Sequence, residues 1–278
     1  MSMKDERISV ECDGRDNVDD LQTEDILDYS VCSDDLSDCV EAIVNWIGVG
    51  KVGRWLACIN PHSYAVALKQ PKFSAALKSA DWLVPDGAGI VFASRMLRGQ
   101  IRARVTGSDL FLGLQREMDE RGGHNVFFLG STEETLLAMR DRMAVDFPNI
   151  NVAGSYSPPF KEEYSQCEIE EMSAAINRAR PDVLWVGMTA PKQELWLHDN
   201  LNQLETVKFA AAIGAVFDFY AGNVKRSHPF FQKIGLEWLP RLLREPRRLW
   251  RRMFVSAPIF VWHVVKARFG HRPLNNDN

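Results

Sequence analysis

The chain of 278 residues lacks the cysteine pattern of a disulfide scaffold or a zinc site, since Cys12, Cys32, Cys39, Cys58 and Cys167 are odd in number and never spaced Cys-x-x-Cys. That usage fits a reducing cytoplasm. The first residues, Met-Ser-Met-Lys-Asp-Glu, have neither the basic start nor the apolar stretch of a signal peptide, so no export is expected. There is no Walker A lysine loop, no His-Glu-x-x-His and no Gly-x-Ser-x-Gly. Asp-x-Asp, by which many sugar-nucleotide transferases hold a divalent ion, is also absent, and no metal site is expected. Gly48-Val49-Gly50-Lys51-Val52-Gly53 matches Gly-x-Gly-x-x-Gly, but it precedes an expected strand and reads as a helix stop and turn. Asp86-Gly87-Ala88-Gly89 does follow a strand, yet Phe92 occupies the third glycine place of a dinucleotide fingerprint.

What is present is an ordinary soluble composition, 46% hydrophobic and 25% charged, at a length suiting one α/β-sized globule with appendages. The net charge of −4 conceals a strong polarity. Residues 1–40 carry 13 acids and 3 bases, residues 41–224 carry 21 and 18, and residues 225–278 carry 3 and 12. The acidic, aromatic-poor start cannot bury enough apolar surface to offset its ordering entropy, and residues 1–35 are expected to form a disordered tail. The basic end, residues 226–278, interleaves arginines with apolar residues in the manner of an amphipathic helix. Its mostly apolar run from Met253 to Val265 spans 13 residues. At ~1.5 Å per residue such a helix is too short for the roughly 30 Å hydrocarbon core, so it either lies on a membrane or packs on the protein's own core.

Between the tails, residues 36–225 alternate short apolar strands with helical patterns. Strands are expected at 54–59, 82–84, 125–129, 150–153, 182–186 and 207–213, and helices near 34–46, 86–98, 108–121, 132–146, 162–179 and 191–203. This pattern predicts an α/β, Rossmann-like, mainly parallel sheet with helices on both faces, whose ligands gather at the carboxyl ends of the strands. Polar groups stand at those ends: Asn60, Pro85-Asp86-Gly87, Gly130-Ser131-Thr132, Gly187 through Glu194, and Gly214 through Gly222. Each has a local reading, since Pro-Asp-Gly is a good turn, Ser131-x-x-Glu134 a capping box and Pro191 a first-turn residue. Five together on one rim point to a site.

These motifs, in this order, resemble the WecG/TagA/CpsF family of bacterial glycosyltransferases. The matching stretches are Ile59-Asn60, Val84-Pro85-Asp86-Gly87, Arg104 through Asp109, Phe128-Leu129-Gly130, Pro191-Lys192-Gln193-Glu194, Phe217 through Gly222, Lys225-Arg226, Leu236 through Arg241 and Glu245-Pro246-Arg247-Arg248, covering roughly residues 40–252. The resemblance implies a cytoplasmic enzyme, peripheral on the inner face of the cell membrane. It would move a sugar from a UDP-sugar to a sugar on polyprenyl diphosphate, with anomeric inversion and without a metal or other cofactor. Lipid-linked intermediates of surface polysaccharide would be the products.

Residue by residue, the resemblance implies Asp86 as the base that takes the acceptor proton, with Arg104 and the appendage arginines Arg241, Arg248 and Arg251 stabilising the departing diphosphate. Asn60 and Gln193 would hydrogen-bond sugar hydroxyls, and Gly87, Gly130 and Asp218 would line the substrate. Many members carry threonine two positions before the asparagine; this chain has Cys58 there, which by position would also line the substrate. An anionic membrane surface and a second copy of the chain are the expected partners. A nicotinamide-dependent oxidoreductase and an arginine-tail nucleic-acid binder stay open as alternatives, although the glycine fingerprint and any nucleic-acid recognition motif are missing.

Overall fold

The computed structural model of the chain describes residues 21–224 and 250–270. Its centre is a six-stranded parallel sheet of β3 (Arg54–Ile59), β4 (Trp82–Pro85), β5 (Asn125–Gly130), β6 (Asn151–Tyr156), β7 (Val183–Gly187) and β8 (Phe209–Ala212), in the order β4-β3-β8-β7-β5-β6. The inner strands are apolar on both faces because both are covered. Trp55, Ala57, Ile59, Leu184, Val186, Ala210 and Ala212 enter one core, and their neighbours Leu56, Val183, Trp185, Phe209 and Ala211 enter the other. The expected mainly parallel α/β sheet is what forms.

The helices of the sheet region are α1 (Leu36–Val49), α2 (Pro61–Ala67), α3 (Pro71–Ser79), α4 (Ala88–Leu97), α5 (Gly107–Arg121), α6 (Glu133–Asp146), α7 (Gln166–Ala179), α8 (Lys192–Asn200) and α9 (Val216–Tyr220). Their starts follow the side-chain chemistry of the residue before them. Asp35, Asn60, Thr106, Thr132 and Ser165 each accept backbone N–H groups of the first turn. The chain runs from β3 to β4 on one side, then crosses to β5 and β6, and β7 and β8 fill the middle. The helices that follow the adjacent strands β3 and β8, α2 and α9, pack on opposite faces of the sheet, the arrangement at whose carboxyl ends ligands gather in open α/β sheets.

The acidic tail expected through residue 35 stops earlier. Thr23–Ile26 (β1) and Tyr29–Cys32 (β2) form an antiparallel hairpin whose Ile26, Tyr29, Val31 and Cys32 are buried. Four apolar side chains in ten residues suffice here because the hairpin packs beside β4 and need not build a core alone.

The appendage is described from Trp250 onward, and ends in helix α10 (Ala257–Phe269). Phe260 and Val264 are buried against the Tyr64 side of α2, so packing on the protein's own core is the outcome for that face. Val261, Trp262 and Phe269 on the same helix stay exposed, as do Trp250, Phe254 and Val255 just before it. Among the described residues no helix is long and apolar enough to cross a membrane.

Candidate functional site

Asn60 ends β3 and caps α2, and both jobs use the same side chain. Its Oδ1 accepts the amides of His62 and Ser63 at 3.0 Å each, and Pro61 in the first turn needs no partner for its nitrogen. Ser63 Oγ in turn accepts the Asn60 amide at 2.8 Å, which completes a capping box. With Oδ1 so engaged, the amide orientation is determined and Nδ2 points the other way. It donates to Asp86 Oδ2 at 3.2 Å.

Asp86 leaves β4 one strand away, and its backbone amide donates to Ile59 O at 2.8 Å, which ties the two strand ends together. Gly87 follows at φ +94°, a conformation that lets the chain turn at once into α4. The Val105 amide donates to Pro85 O at 2.9 Å, laying the Arg104-Val105 segment along the same turn, and Arg104 is partly buried. Cys58, partly buried on β3, has its thiol pushed well above the ordinary range by burial first, then by the Asp86 and Glu194 carboxyls. Its sulfur also lies at the Gly107 amide, the first residue of α5.

From the other side of β3 come β7 and β8. Gln193 is buried, accepts the Gly214 amide on Oε1 at 2.9 Å and donates from Nε2 to Glu194 Oε1 at 2.9 Å. Asp218, on α9 beyond that turn, is partly buried. Gly130 ends β5 at φ +114°, where an added Cβ would lie 2.6 Å from Gly187 O, so its glycine is accounted for by close backbone approach.

Arg251 is exposed, and both it and Arg252 act electrostatically on His62, two residues past Asn60. The structure thus brings Asn60, Asp86, Cys58, Arg104 and Gln193 to the carboxyl rim around β3, with Arg251 approaching over α2. Gly130 lies three strands from β3. Arg241 and Arg248 lie outside the described residues.

Glu194 closes the Pro191-Lys192-Gln193-Glu194 motif, and nothing in the sequence gives it a role. It is 3% exposed, its Oε2 has no hydrogen-bond partner, and burial raises its carboxyl from the usual range to about 7, against the smaller opposing pull of Gln193 and its own amide. A buried carboxyl with an unpartnered oxygen is costly and needs a reason. Its only sequence signal was position: an acid in a first helical turn reads as a dipole partner, and nothing in the sequence reveals burial.

A carboxylate aimed by an amide hydrogen bond at the end of a strand can accept a proton. Comparison with known proteins supplies the family. The sequence model of the "Glycosyl transferase WecG/TagA/CpsF family" matches residues 24–273. A protein of Bacillus spizizenii is 36% identical over 214 residues, 77% of this chain and 79% of its own length. A Bacillus subtilis protein is 28% identical over 249 residues, 88% of this chain and 92% of its own, and a Staphylococcus aureus protein is 30% identical over 220 residues, 77% and 80%. All three carry the name N-acetylglucosaminyldiphosphoundecaprenol N-acetyl-beta-D-mannosaminyltransferase. With a family match across nearly its whole length and its strand-end polar groups gathered on one rim, the chain belongs to the WecG/TagA/CpsF family and is a glycosyltransferase.

Proposed function

We propose that the chain transfers a sugar from a UDP-sugar to a sugar carried on polyprenyl diphosphate, inverting the anomeric centre in one displacement without a metal ion. The observation that carries this reading is the Asn60–Asp86 pair, 3.2 Å apart on adjoining strand ends in a chain of this family. The names of the relatives make N-acetylmannosamine and diphosphoundecaprenol-linked N-acetylglucosamine the first donor sugar and acceptor to test. The family assignment replaces the oxidoreductase alternative.

In the proposed step the acceptor hydroxyl oxygen bonds to the anomeric carbon, its proton passes to Asp86, and the bond from that carbon to the diphosphate breaks on the opposite face. Asn60 keeps the Asp86 carboxylate aimed, which lowers the orientational cost of proton transfer. The leaving diphosphate gains negative charge that Arg104 and Arg251, with Arg241 and Arg248 from the appendage, would offset.

The same proposal sets the protein on the inner face of the cell membrane, where such an acceptor resides. Trp250, Phe254, Val261, Trp262 and Phe269 form an exposed apolar surface with Lys266 and Arg268 in the last turn of α10, the composition of a segment that lies in a lipid interface.

A panel of UDP-sugars incubated with a lipid-linked N-acetylglucosamine and followed by product mass tests the reading. One donor should give a product heavier by one sugar residue, in EDTA as well as without it. Activity that disappears on chelation and returns with magnesium or manganese would sink the metal-free step, and no product from any donor would sink the acceptor and donor assignment.

A further inference from the structure

Among the described residues Glu194 is the only Asp, Glu, Lys or Arg side chain in the buried class, and it sits at a turn where helix formation does not require it. A first-turn acid serves the helix dipole just as well from the surface, at far smaller desolvation cost. Its position is explained better by what its oxygen holds. The Gly214 amide can only donate, so it selects Oε1 of Gln193, and Nε2 must then find an acceptor in a buried setting. Glu194 Oε1 is that acceptor, at 2.9 Å.

The resulting chain, Glu194 to Gln193 to Gly214, connects the start of α8 to the turn between β8 and α9. It uses one Nε2 hydrogen and leaves the second without an acceptor among the described residues. Without Glu194 both Nε2 hydrogens would be unsatisfied, and the carboxamide, held only through Oε1 at the Gly214 amide, could tilt about that one bond. The Glu194 and Asp86 carboxyls both act electrostatically on the Cys58 thiol of β3.

We propose that Glu194 is a positioning residue for sugar transfer, acting through Gln193: by holding Nε2 it fixes the amide with one N–H left for an oxygen of the bound substrate. This rests on the transferase reading above. Glu194 itself does not touch the substrate, since its unpartnered oxygen is enclosed.

The test uses the full chain with Glu194→Ala, Glu194→Gln, Gln193→Ala and the double alanine variant, measuring kcat, KM for the UDP-sugar and melting temperature for each. Glu194→Ala and Gln193→Ala should each lower kcat/KM by roughly tenfold, the scale of one lost hydrogen bond at a substrate. The double variant should fall no further than the worse single one, because the two residues act as one unit. Glu194→Gln, which retains an acceptor oxygen of the same reach, should recover most of the loss. Should Glu194→Ala fail to fold, Glu194→Met fills the volume without an acceptor and takes its place. The proposal is overturned if the alanine or methionine variant lowers only the melting temperature, if the losses multiply in the double variant, or if Glu194→Gln is as impaired as Glu194→Ala. A wild type that yields no product with any donor would instead count against the transferase reading.

Discussion

Asn60 and Asp86 are joined by a single hydrogen bond of 3.2 Å from Nδ2 to Oδ2, and the other end of the same amide caps the helix on which the appendage rests. His62 Nδ1 and Ser256 Oγ lie 2.9 Å apart, and Tyr64 Oη and His263 Nδ1 lie 2.8 Å apart. The proposed base is therefore linked through Asn60 and His62, by three hydrogen bonds, to the segment expected to meet the membrane.

Replacing Asp86 by Asn should preserve folding and UDP binding and remove transfer. Asn suits the turn about as well as Asp, but its amide cannot take a proton. Positioned bases contribute typically 10²–10⁴-fold, so kcat should fall by about that factor. A variant with kcat within about threefold of wild type, far below that range, would remove Asp86 from the role.

Asn60 separates capping from catalysis. Asp at this position still caps α2, but sets a second carboxylate against Asp86, and two carboxyls so close cannot both ionise. Asn60→Asp should thus lose transfer while keeping the cap, with a melting temperature that falls as pH rises and the paired carboxyls are forced to ionise, whereas Asn60→Ala should lose about 0.5–2 kcal/mol of stability with the cap at every pH. Calorimetry beside kcat checks both, and equal activity in Asn60→Asp and wild type would show that the pair is structural only.

Acid should loosen the appendage. Burial, then Arg252 and Arg251, lower the His62 imidazole from its ordinary 6.5 to about 4. Because the folded value is depressed, its contribution is fully present above the unfolded value and is lost as pH falls from about 6.5 toward 4. Hydrogen exchange over residues 257–269 should quicken through that window in wild type and change less in His62→Gln. Identical profiles would exclude His62 as the cause.

Glu194 gives the opposite slope. Its folded value, raised from 4.5 to about 7, means that its contribution is fully present below pH 4.5 and is lost as pH rises through about 7. Relative to Glu194→Gln, the wild type should become progressively less stable between those limits, as denaturant midpoints at pH 5, 6, 7 and 8 would register. Parallel midpoints at every pH would mean that the carboxyl ionises as freely folded as unfolded.

Trp262, 66% exposed, is the largest apolar group on the outer face of α10. Burying such a side chain contributes about 1.5–3 kcal/mol, so Trp262→Ser should weaken binding to anionic vesicles by about tenfold or more while UDP binding stays unchanged. Flotation that is unaltered by Trp262→Ser and by Phe254→Ser together would place the membrane contact elsewhere.

The sheet was legible because its inner strands are buried on both faces and therefore read as short apolar runs, such as Val183 through Gly187, whatever their neighbours. The rim followed from it, since parallel strands put Asn60, Asp86 and Gly214 at one edge by direction alone. The hairpin of Thr23 through Cys32 was missed for two local reasons. Its composition is acidic, and its turn at Leu27 and Asp28 takes φ of +51° and +68° without the glycine or asparagine that would have announced it. The two helices α2 and α3 left only their first-turn prolines, Pro61 and Pro71, as signals.

By itself, then, the sequence determined what depends on neighbours along the chain: the alternation of strands and helices, the caps, the order of motifs and through them the family. Only the tertiary structure decided what depends on distance between remote segments. It joined Asn60 to Asp86 across 26 positions, bonded the Gln193 side chain to Gly214, enclosed Glu194 beside Cys58 and seated Val264 of α10 in the core while leaving Trp262 outside. Periodicity records which residues are apolar, but burial of a carboxyl or the partner of an amide is set by elements that arrive from elsewhere in the chain.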